Sequence, residues 1–451
     1  MKAHIRTYGC QMNERDSENI AANFVERGWS ITNNEAEADA IIVNTCSVRE
    51  QAENKAIGKL GHLINYRNFT GKNLPVIGVT GCMAQNRGGQ LVKILPGLDF
   101  VAGARKTHKV ADIAEQIYRQ KITGRADLVP VVDVSDDLTS HLNIDKHYPL
   151  ARSSKVCAFV SIMQGCQMNC SYCIVPKVRG PMRSRPTADI VAEVRALVDS
   201  GVKEVTLLGQ VVNAFGIERR APGKVSEFVD LLERLNAIEG LQRIRFTSPH
   251  PSFFKDDLIE AYGRLEKLCQ YVHLPLQSGS NSILRAMNRP YRAEDFLRIA
   301  ERLREKVADM SISTDVIVGY PGETPEDFRQ TVDVFKQAAF DMAFIFKYSP
   351  REGTKSAQQP DDVPESIKDQ RNKILLEILG EQSMRFHENM IGRTFDVLVE
   401  DRAKRGQDMF MGRTRNHRKC IFKADESYIA KTVNVKINSA TVTALSAEIV
   451  G

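Results

Sequence analysis

Short apolar runs alternate with amphipathic helical stretches along most of this 451-residue chain, and that rhythm admits few folds other than parallel α/β layers. Within residues 1–120, Ala3–Thr7, Ala40–Asn44 and Val76–Thr80 read as buried strands. Each runs into a cysteine, as Tyr8-Gly9-Cys10, Asn44-Thr45-Cys46 and Thr80-Gly81-Cys82. In an open parallel sheet the carboxyl ends of the strands share one edge, where ligands bind. Three strands therefore deliver three thiols to one edge. Glycines beside two of them let the backbone approach a ligand; the alternative is three small apolar side chains packed in the core.

Residues 121–150 lose this rhythm. They pass from Val132-Asp133-Val134 through Ser135-Asp136-Asp137 to the stretch His141–His147, and read as a linker. A second strand–helix series occupies residues 151–383, with strands expected at Ala158–Met163, Glu204–Leu208, Ile244–Phe246, Val272–Leu276, Ile312–Val318 and Ala343–Tyr348. Such a series fits a partial (β/α)6 barrel, whose reactive rim lies at the carboxyl ends of its strands. Gln210, His250, Gln277 and the Gly319–Thr324 run all fall at those ends. Over residues 384–451 the pattern changes to short alternating strands, Thr394–Val399, Ile421–Lys423, Thr432–Ile437 and Thr441–Ser446, which predict a small β-barrel of the oligonucleotide-binding kind.

Chemistry concentrates just past the first barrel strand, where Cys166, Cys170 and Cys173 form a C-x3-C-x2-C run. A structural zinc site is closed by four ligands, and no fourth Cys or His follows at zinc spacing. Three thiolates from one loop suit three corners of a cubane iron–sulfur cluster and leave one iron open. A zinc knuckle or a redox loop is the plainer alternative.

Composition narrows the setting. The formal net charge is only +6, which permits nucleic-acid contact without demanding it. Nine cysteines, an odd number, with no charged-then-apolar leader and no long apolar span, predict a reduced, cytoplasmic protein with no membrane segment. Local charge is more telling. Between Arg402 and Lys423 stand Arg402, Lys404, Arg405, Arg413, Arg415, Arg418, Lys419 and Lys423 against Asp408 alone. That hairpin offers phosphate contacts to RNA, or else a solvated face. Phe410 and Phe422 either stack on bases or fill the strand core. Cys157, Cys269 and Cys420 read as small buried hydrophobes.

Taken together, these motifs resemble the methylthiotransferase branch of the radical S-adenosylmethionine (SAM) enzymes, and more closely the tRNA methylthiotransferase family called MiaB. The residues that carry the resemblance are Thr7–Asn13, Asn44–Glu50, Gly81–Gln85, Cys173–Pro176, Arg179-Gly180, Ser184–Pro186, Leu207–Gln210, His273–Ser280 and Gly319–Thr324. The wording around Cys10 and Cys46 differs from that of the ribosomal-protein branch and from that of the branch acting on threonylcarbamoyl-adenosine. One departure stands out: Val211 occupies a position that is commonly Asn in the family.

The resemblance implies an N-terminal methylthiotransferase domain, a central radical SAM barrel and a C-terminal TRAM RNA-binding domain. It implies two 4Fe-4S clusters, a radical-generating one on Cys166, Cys170 and Cys173 and a sulfur-donating one on Cys10, Cys46 and Cys82. One SAM then methylates a sulfur carried at the Cys10–Cys46–Cys82 cluster and a second is cleaved to a 5′-deoxyadenosyl radical, the methylthio group entering at C2 of N6-(dimethylallyl)adenosine at tRNA position 37. Gln210, Asn213, Gly319 and Gly322 are candidates for holding SAM, with strand-end capping and ordinary turns as the alternatives. Arg179 and Arg185 either pair with the SAM carboxylate or tRNA phosphate, or anchor the loop after the cluster. Arg402, Lys404, Arg405, Arg413, Arg415, Arg418 and Lys419 are candidates for tRNA contact. The implied partners are the tRNA, an electron donor such as flavodoxin or ferredoxin, and a sulfur and cluster supply system, with the chain itself a monomer. The rival functions are methylthiolation of threonylcarbamoyl-adenosine or of a ribosomal protein side chain, and non-catalytic iron–sulfur RNA binding.

Overall fold

A computed structural model describes residues 1–47, 50–71, 74–124, 128–152, 154–220 and 226–450. Val48 and Arg49, part of the motif around Cys46, lie outside these residues. The chain divides into two units: Met1–Ser153 with Phe159–Gln167 and Ile174–Arg185, and Ser154–Ala158 with Met168–Cys173 and Pro186–Gly451. The division falls inside the C-x3-C-x2-C run, so Cys166 belongs to the first unit and Cys170 and Cys173 to the second.

The first unit is built on a six-stranded sheet. Its strands are β1 (Lys2–Tyr8), β2 (Ser30–Ile31), β3 (Ala40–Thr45), β4 (Val76–Gly81), β5 (Phe100–Gly103) and β6 (Val131–Asp133), in the order β2-β1-β3-β4-β5-β6. Every pairing is parallel. β3 and β4 are buried along their whole length, as near-continuous apolar runs in a doubly covered sheet should be. Helices α1 (Gln11–Glu26), α2 (Glu50–Phe69), α3 (Cys82–Arg87), α4 (Gln90–Ile94) and α5 (Val110–Ile122) complete the layers. One core cluster packs Ile41, Val43, Ile77 and Val79 against Leu60 and Leu63 of α2. The other packs Ile42 and Phe100 against Ile20 and Phe24 of α1 and Val110 and Ile117 of α5.

The expected linker contributes structure to this unit. β6 lies within residues 121–150 and pairs with β5. Arg15 of α1, itself buried, donates to the carbonyls of Ile144 at 2.6 Å and Lys146 at 2.8 Å. A segment without apolar periodicity is thus fastened through its backbone carbonyls, which no hydrophobic pattern advertises. The two-stranded β8 (Met163–Gln164) and β9 (Arg183–Ser184), and between them α6 (Val175–Arg179), also belong to the first unit.

Strand β7 (Cys157–Ser161) starts in the second unit, whose barrel strands are β10 (Glu204–Leu208), β11 (Arg243–Phe246), β12 (Tyr271–His273), β13 (Ser311–Val318) and β14 (Met342–Lys347). They form two three-stranded sheets, β11-β10-β7 and β12-β13-β14, the open arrangement of a partial barrel. A long helix, Glu365–Glu388, precedes the last five strands. These are β15 (Thr394–Arg402), β16 (Met409–Thr414), β17 (Lys419–Lys423), β18 (Thr432–Ala440) and β19 (Leu445–Ile449), closed into a barrel in the order β15-β16-β17-β19-β18. The last of them shares only Leu445 and Ser446 with the Thr441–Ser446 expected from alternation and runs on to Ile449. No helix among the described residues is long and apolar enough to cross a membrane.

Candidate functional site

The first cysteine set is assembled by register. Tyr8 pairs with Thr45, and Thr45 with Gly81, so three adjacent strands end level with one another. Cys10 follows β1 after Gly9 and caps the N-terminus of α1; Cys46 follows β3; Cys82 follows β4 and opens α3. Cys46 N–H donates to the Tyr8 carbonyl at 2.9 Å. The two glycines are closely approached by the chain's own atoms. A Cβ on Gly9 would lie 2.4 Å from Asn13 Oδ1 and 2.9 Å from Cys46 Cβ. Gly81 has φ +96, a left-handed value that favours glycine.

A buried amide network fixes this edge. Asn13 Oδ1 accepts from Cys10 N–H at 3.3 Å and lies 3.3 Å from Cys10 Sγ. Asn13 Nδ2 donates to Asn44 Oδ1 at 3.1 Å, and Asn44 Nδ2 returns a bond to the Asn13 carbonyl at 2.9 Å. A hydrogen bond with Cys46 pulls the Cys10 thiol down to about 6, against burial and with help from the Arg179 charge. Burial pushes the Cys82 thiol up, and the Arg179 charge counters it.

Arg179 is the residue here whose role sequence reasoning missed. It ends α6 and is buried. Its Nε–H donates to Cys82 Sγ at 3.3 Å and its Nη2–H to Asp16 Oδ2 at 2.7 Å. The sequence marked it as an arginine near a cluster loop; nothing in it pointed to Cys82 or Asp16. Ile174 and Val178 pack with Cys82 and Ala104 in one apolar cluster, which carries α6 to this place. Arg185 donates from Nη1 to the Ser161 carbonyl at 2.7 Å and is buried, the anchoring alternative of its two readings.

In the second unit, the loop bearing Cys170 and Cys173 is laced down by polar bonds. Ser171 N–H donates to the Met287 carbonyl at 3.1 Å, Ser171 Oγ–H to the Ala286 carbonyl at 2.9 Å, and Cys173 N–H to the Cys170 carbonyl at 3.1 Å. Asn288 Nδ2 donates to the Asn169 carbonyl at 2.7 Å. Arg289, which the sequence did not single out, donates from Nη1 to Cys170 Sγ at 3.3 Å. In the first unit, Cys166 N–H donates to the Gly180 carbonyl at 3.0 Å.

The barrel-rim residues divide. Asn213 is buried and spends its amide on His250, donating to its carbonyl at 3.0 Å and accepting from its N–H at 2.8 Å. Gln210 is half-buried directly beyond β10. Gly319 donates its N–H to Glu323 Oε2 at 2.7 Å and Gly322 to Asp362 Oδ1 at 2.8 Å. Val211, at the position usually Asn in the family, is buried. His250 is buried with Nδ1 accepting from Ser252 N–H at 3.2 Å, and among the described residues its Nε2 has no hydrogen-bond partner. Burial, with the nearby Arg289 charge, lowers it to about 3, so the ring is neutral and Nε2 carries its hydrogen.

The basic hairpin is less uniform than its sequence. Arg413 pairs with Glu400, Arg418 with Asp341, and Arg402 with Glu426, while Arg415 donates to the Glu266 carbonyl. Lys404 and Arg405 are exposed and Lys419 half-exposed, and among the described residues none of the three has an ion-pair or hydrogen-bond partner. Phe410 and Phe422 fill the core of the β15–β19 barrel, so base stacking by them falls away.

All nine cysteines are free thiols. Cys157 is half-buried, Cys269 and Cys420 are buried, and burial raises all three, Cys420 to about 12. Of the thiols whose shift is resolved, Cys10 alone is lowered. Among the described residues no three His, Cys, Asp or Glu side chains close on a single ion. A four-iron cube asks for something wider, since its thiolates bind separate irons. The donor set suits such a group: a depressed thiol at Cys10, and guanidinium N–H groups aimed at Cys82 and Cys170.

Comparison with known proteins agrees with this layout. Residues 160–335 match the radical SAM superfamily, residues 2–103 a family described as uncharacterized protein family UPF0004, and residues 388–450 the TRAM domain. The chain is 48% identical to a tRNA-2-methylthio-N(6)-dimethylallyladenosine synthase of Opitutus terrae, covering 99% of this chain and 97% of that protein. It is 44% identical to the synthase of the same description from Akkermansia muciniphila, over 98% and 97%. Among solved structures, the radical SAM methyltransferase TsrM from Kitasatospora setae shares the fold, with a TM-score of 0.56, 15% identity and coverage of 76% of this chain and 72% of that one.

Proposed function

This chain belongs to the tRNA-2-methylthio-N(6)-dimethylallyladenosine synthase family, and we propose that it adds a methylthio group at C2 of N6-(dimethylallyl)adenosine at tRNA position 37. The observation that carries this reading is the level termination of three adjacent parallel strands in Cys10, Cys46 and Cys82, since a radical SAM barrel alone needs only the loop cysteines. The family uses SAM and 4Fe-4S clusters. When bound, these supply one-electron cleavage of SAM and a sulfur source, chemistry that no side chain performs on an aromatic C–H bond.

The chain's own residues have four jobs. Cys166, Cys170 and Cys173 hold one cluster, and Cys10, Cys46 and Cys82 the other. Asn13 and Asn44 keep the first-unit edge in register, Arg179 holds Cys82, and Arg289 holds Cys170. Gln210 and the Gly319–Gly322 turn lie at strand ends where SAM docks, and His250 offers a buried N–H donor on the same rim. Asn213 supports that rim by fastening His250. Lys404, Arg405 and Lys419 grip tRNA phosphates. A flavodoxin or ferredoxin supplies electrons, a sulfur and cluster system restores the sulfur source, and the chain works as a monomer in the cytoplasm.

Mass spectrometry of tRNA nucleosides from cells lacking this chain tests the assignment. The 2-methylthio nucleoside should vanish and N6-(dimethylallyl)adenosine should accumulate; persistence of the former rejects the substrate.

The unequal hairpin gives a second test. Lys404→Glu with Arg405→Glu should weaken tRNA binding roughly tenfold and flatten the plot of log affinity against log salt by about 1.5. Arg418→Ala should act differently, because it strands the buried Asp341 carboxylate. Its cost is about 3 kcal/mol of folding stability, read by thermal denaturation, with the salt slope unchanged.

A further inference from the structure

Arg179 touches one set of cysteines and Arg289 the other, and the two differ in what balances their charge. Arg179 reaches Cys82 Sγ as half of a pair, its other end bonded at 2.7 Å to Asp16, a carboxylate as buried as itself. The thiolate there meets a hydrogen-bond donor whose charge is already cancelled. Arg289 also donates to a thiol sulfur at 3.3 Å. Its remaining donors go to the Tyr291 hydroxyl at 3.1 Å and the Pro275 carbonyl at 3.5 Å. Its guanidinium carbon lies 5.2 Å from the Tyr291 ring centre. Among the described residues no carboxylate pairs with it.

Reducing a thiolate-bound iron–sulfur cluster adds one negative charge to a group that is already anionic. An uncompensated cation beside a ligand sulfur stabilises the reduced form and raises the potential, whereas a cation cancelled by an adjacent carboxylate leaves only the smaller hydrogen-bond contribution. We propose that Arg289, unpaired, and Arg179, neutralised by Asp16, set the two cluster sites apart in reduction potential, the Cys166–Cys170–Cys173 site being the easier to reduce. A one-electron donor is oxidised by one electron, that site gains it, and no proton moves. Arg289, Arg179 and Asp16 are positioning residues. The electron is thereby directed to the site that cleaves SAM and kept off the one that carries sulfur. The inference rests on the reading above insofar as both cysteine sets carry clusters.

The test is a potentiometric titration of the reconstituted full-length protein, followed by electron paramagnetic resonance. Each cluster is assigned by triple Cys→Ala replacement of the other set. In the unaltered protein the Cys166–Cys170–Cys173 cluster should have the higher midpoint; the opposite order overturns the proposal without any charge variant. Asp16→Asn should raise the midpoint of the other cluster alone, and Asp16→Glu should leave it in place. Arg289→Gln should lower the Cys170 cluster alone, and Arg289→Lys should largely restore it. Midpoints that do not move, or that move together, overturn the proposal. Shifts of the stated sign in a protein that makes no methylthio nucleoside sustain it and reject the tRNA reading; unmoved midpoints in an active enzyme do the reverse.

Discussion

Cys82→Ala should abolish methylthiolation and leave reductive cleavage of SAM intact, while Cys170→Ala should abolish both. The asymmetry follows from where the two residues stand. Cys170 is one of the three cysteines in the C-x3-C-x2-C run beyond β8 and the one held by Arg289, so its loss would remove one of the three proposed ligands of that cluster. Cys82 belongs to the other set, at the end of β4, with Cys10 and Cys46. Its loss leaves the Cys166–Cys170–Cys173 loop with all its own anchors. Each variant should retain roughly half the iron of the unaltered protein. Formation of 5′-deoxyadenosine should fall more than about 100-fold in Cys170→Ala, the scale of losing a metal site's ligand field, and should persist in Cys82→Ala. Chromatography of the SAM products and nucleoside mass spectrometry read the two outcomes. Methylthio nucleoside made by Cys82→Ala would remove the first-unit cysteines from the chemistry.

Gly81→Ala should be among the most damaging single methyl groups in the first unit. Gly81 has φ +96, and a Cβ there would lie 2.4 Å from the Thr45 carbonyl oxygen and 2.5 Å from Asn44 Oδ1. The left-handed backbone alone costs about 1–3 kcal/mol for a residue with a side chain. The clash adds to it, because the Thr45 carbonyl belongs to the neighbouring strand and cannot swing aside as a flexible side chain would. β3 and β4 would have to part where Cys46 and Cys82 leave them. The first thermal transition should fall by about 2–4 °C per kcal/mol lost, and iron at the Cys10–Cys46–Cys82 site should be lost with it. Gly58→Ala is the control. It lies within α2, with nothing within 4 Å of an added Cβ, and should be neutral or stabilising by about 0.5–1 kcal/mol. Equal effects of the two changes would refute the crowding argument.

The expected strands and the observed ones differ mostly at their ends. β1, β3 and β4 each extend one residue or so beyond the apolar run, because a strand's backbone pairing continues past its last apolar side chain. The larger differences came where pattern is silent. β6 sits in a stretch with no usable periodicity, and its place is set by pairing with β5 and by Arg15 gripping nearby carbonyls. The Phe410 and Phe422 side chains could not be assigned to surface or core from alternation alone, since both faces of a short strand in a closed barrel carry bulky residues.

From its sequence alone this chain declares its α/β layers, its terminal barrel, and the six cysteines proposed as cluster ligands, because each of those features is local. A strand that ends in a cysteine, or three thiols on one loop, needs no knowledge of distant residues. Tertiary structure decided which charges reach them. Arg179 meets Cys82 across 97 positions and Arg289 meets Cys170 across 119, and four of the seven candidate RNA-binding residues are bound to groups elsewhere in the chain. Which partner a long charged side chain finds is settled by packing and desolvation among segments far apart in the chain, and periodicity carries no record of that.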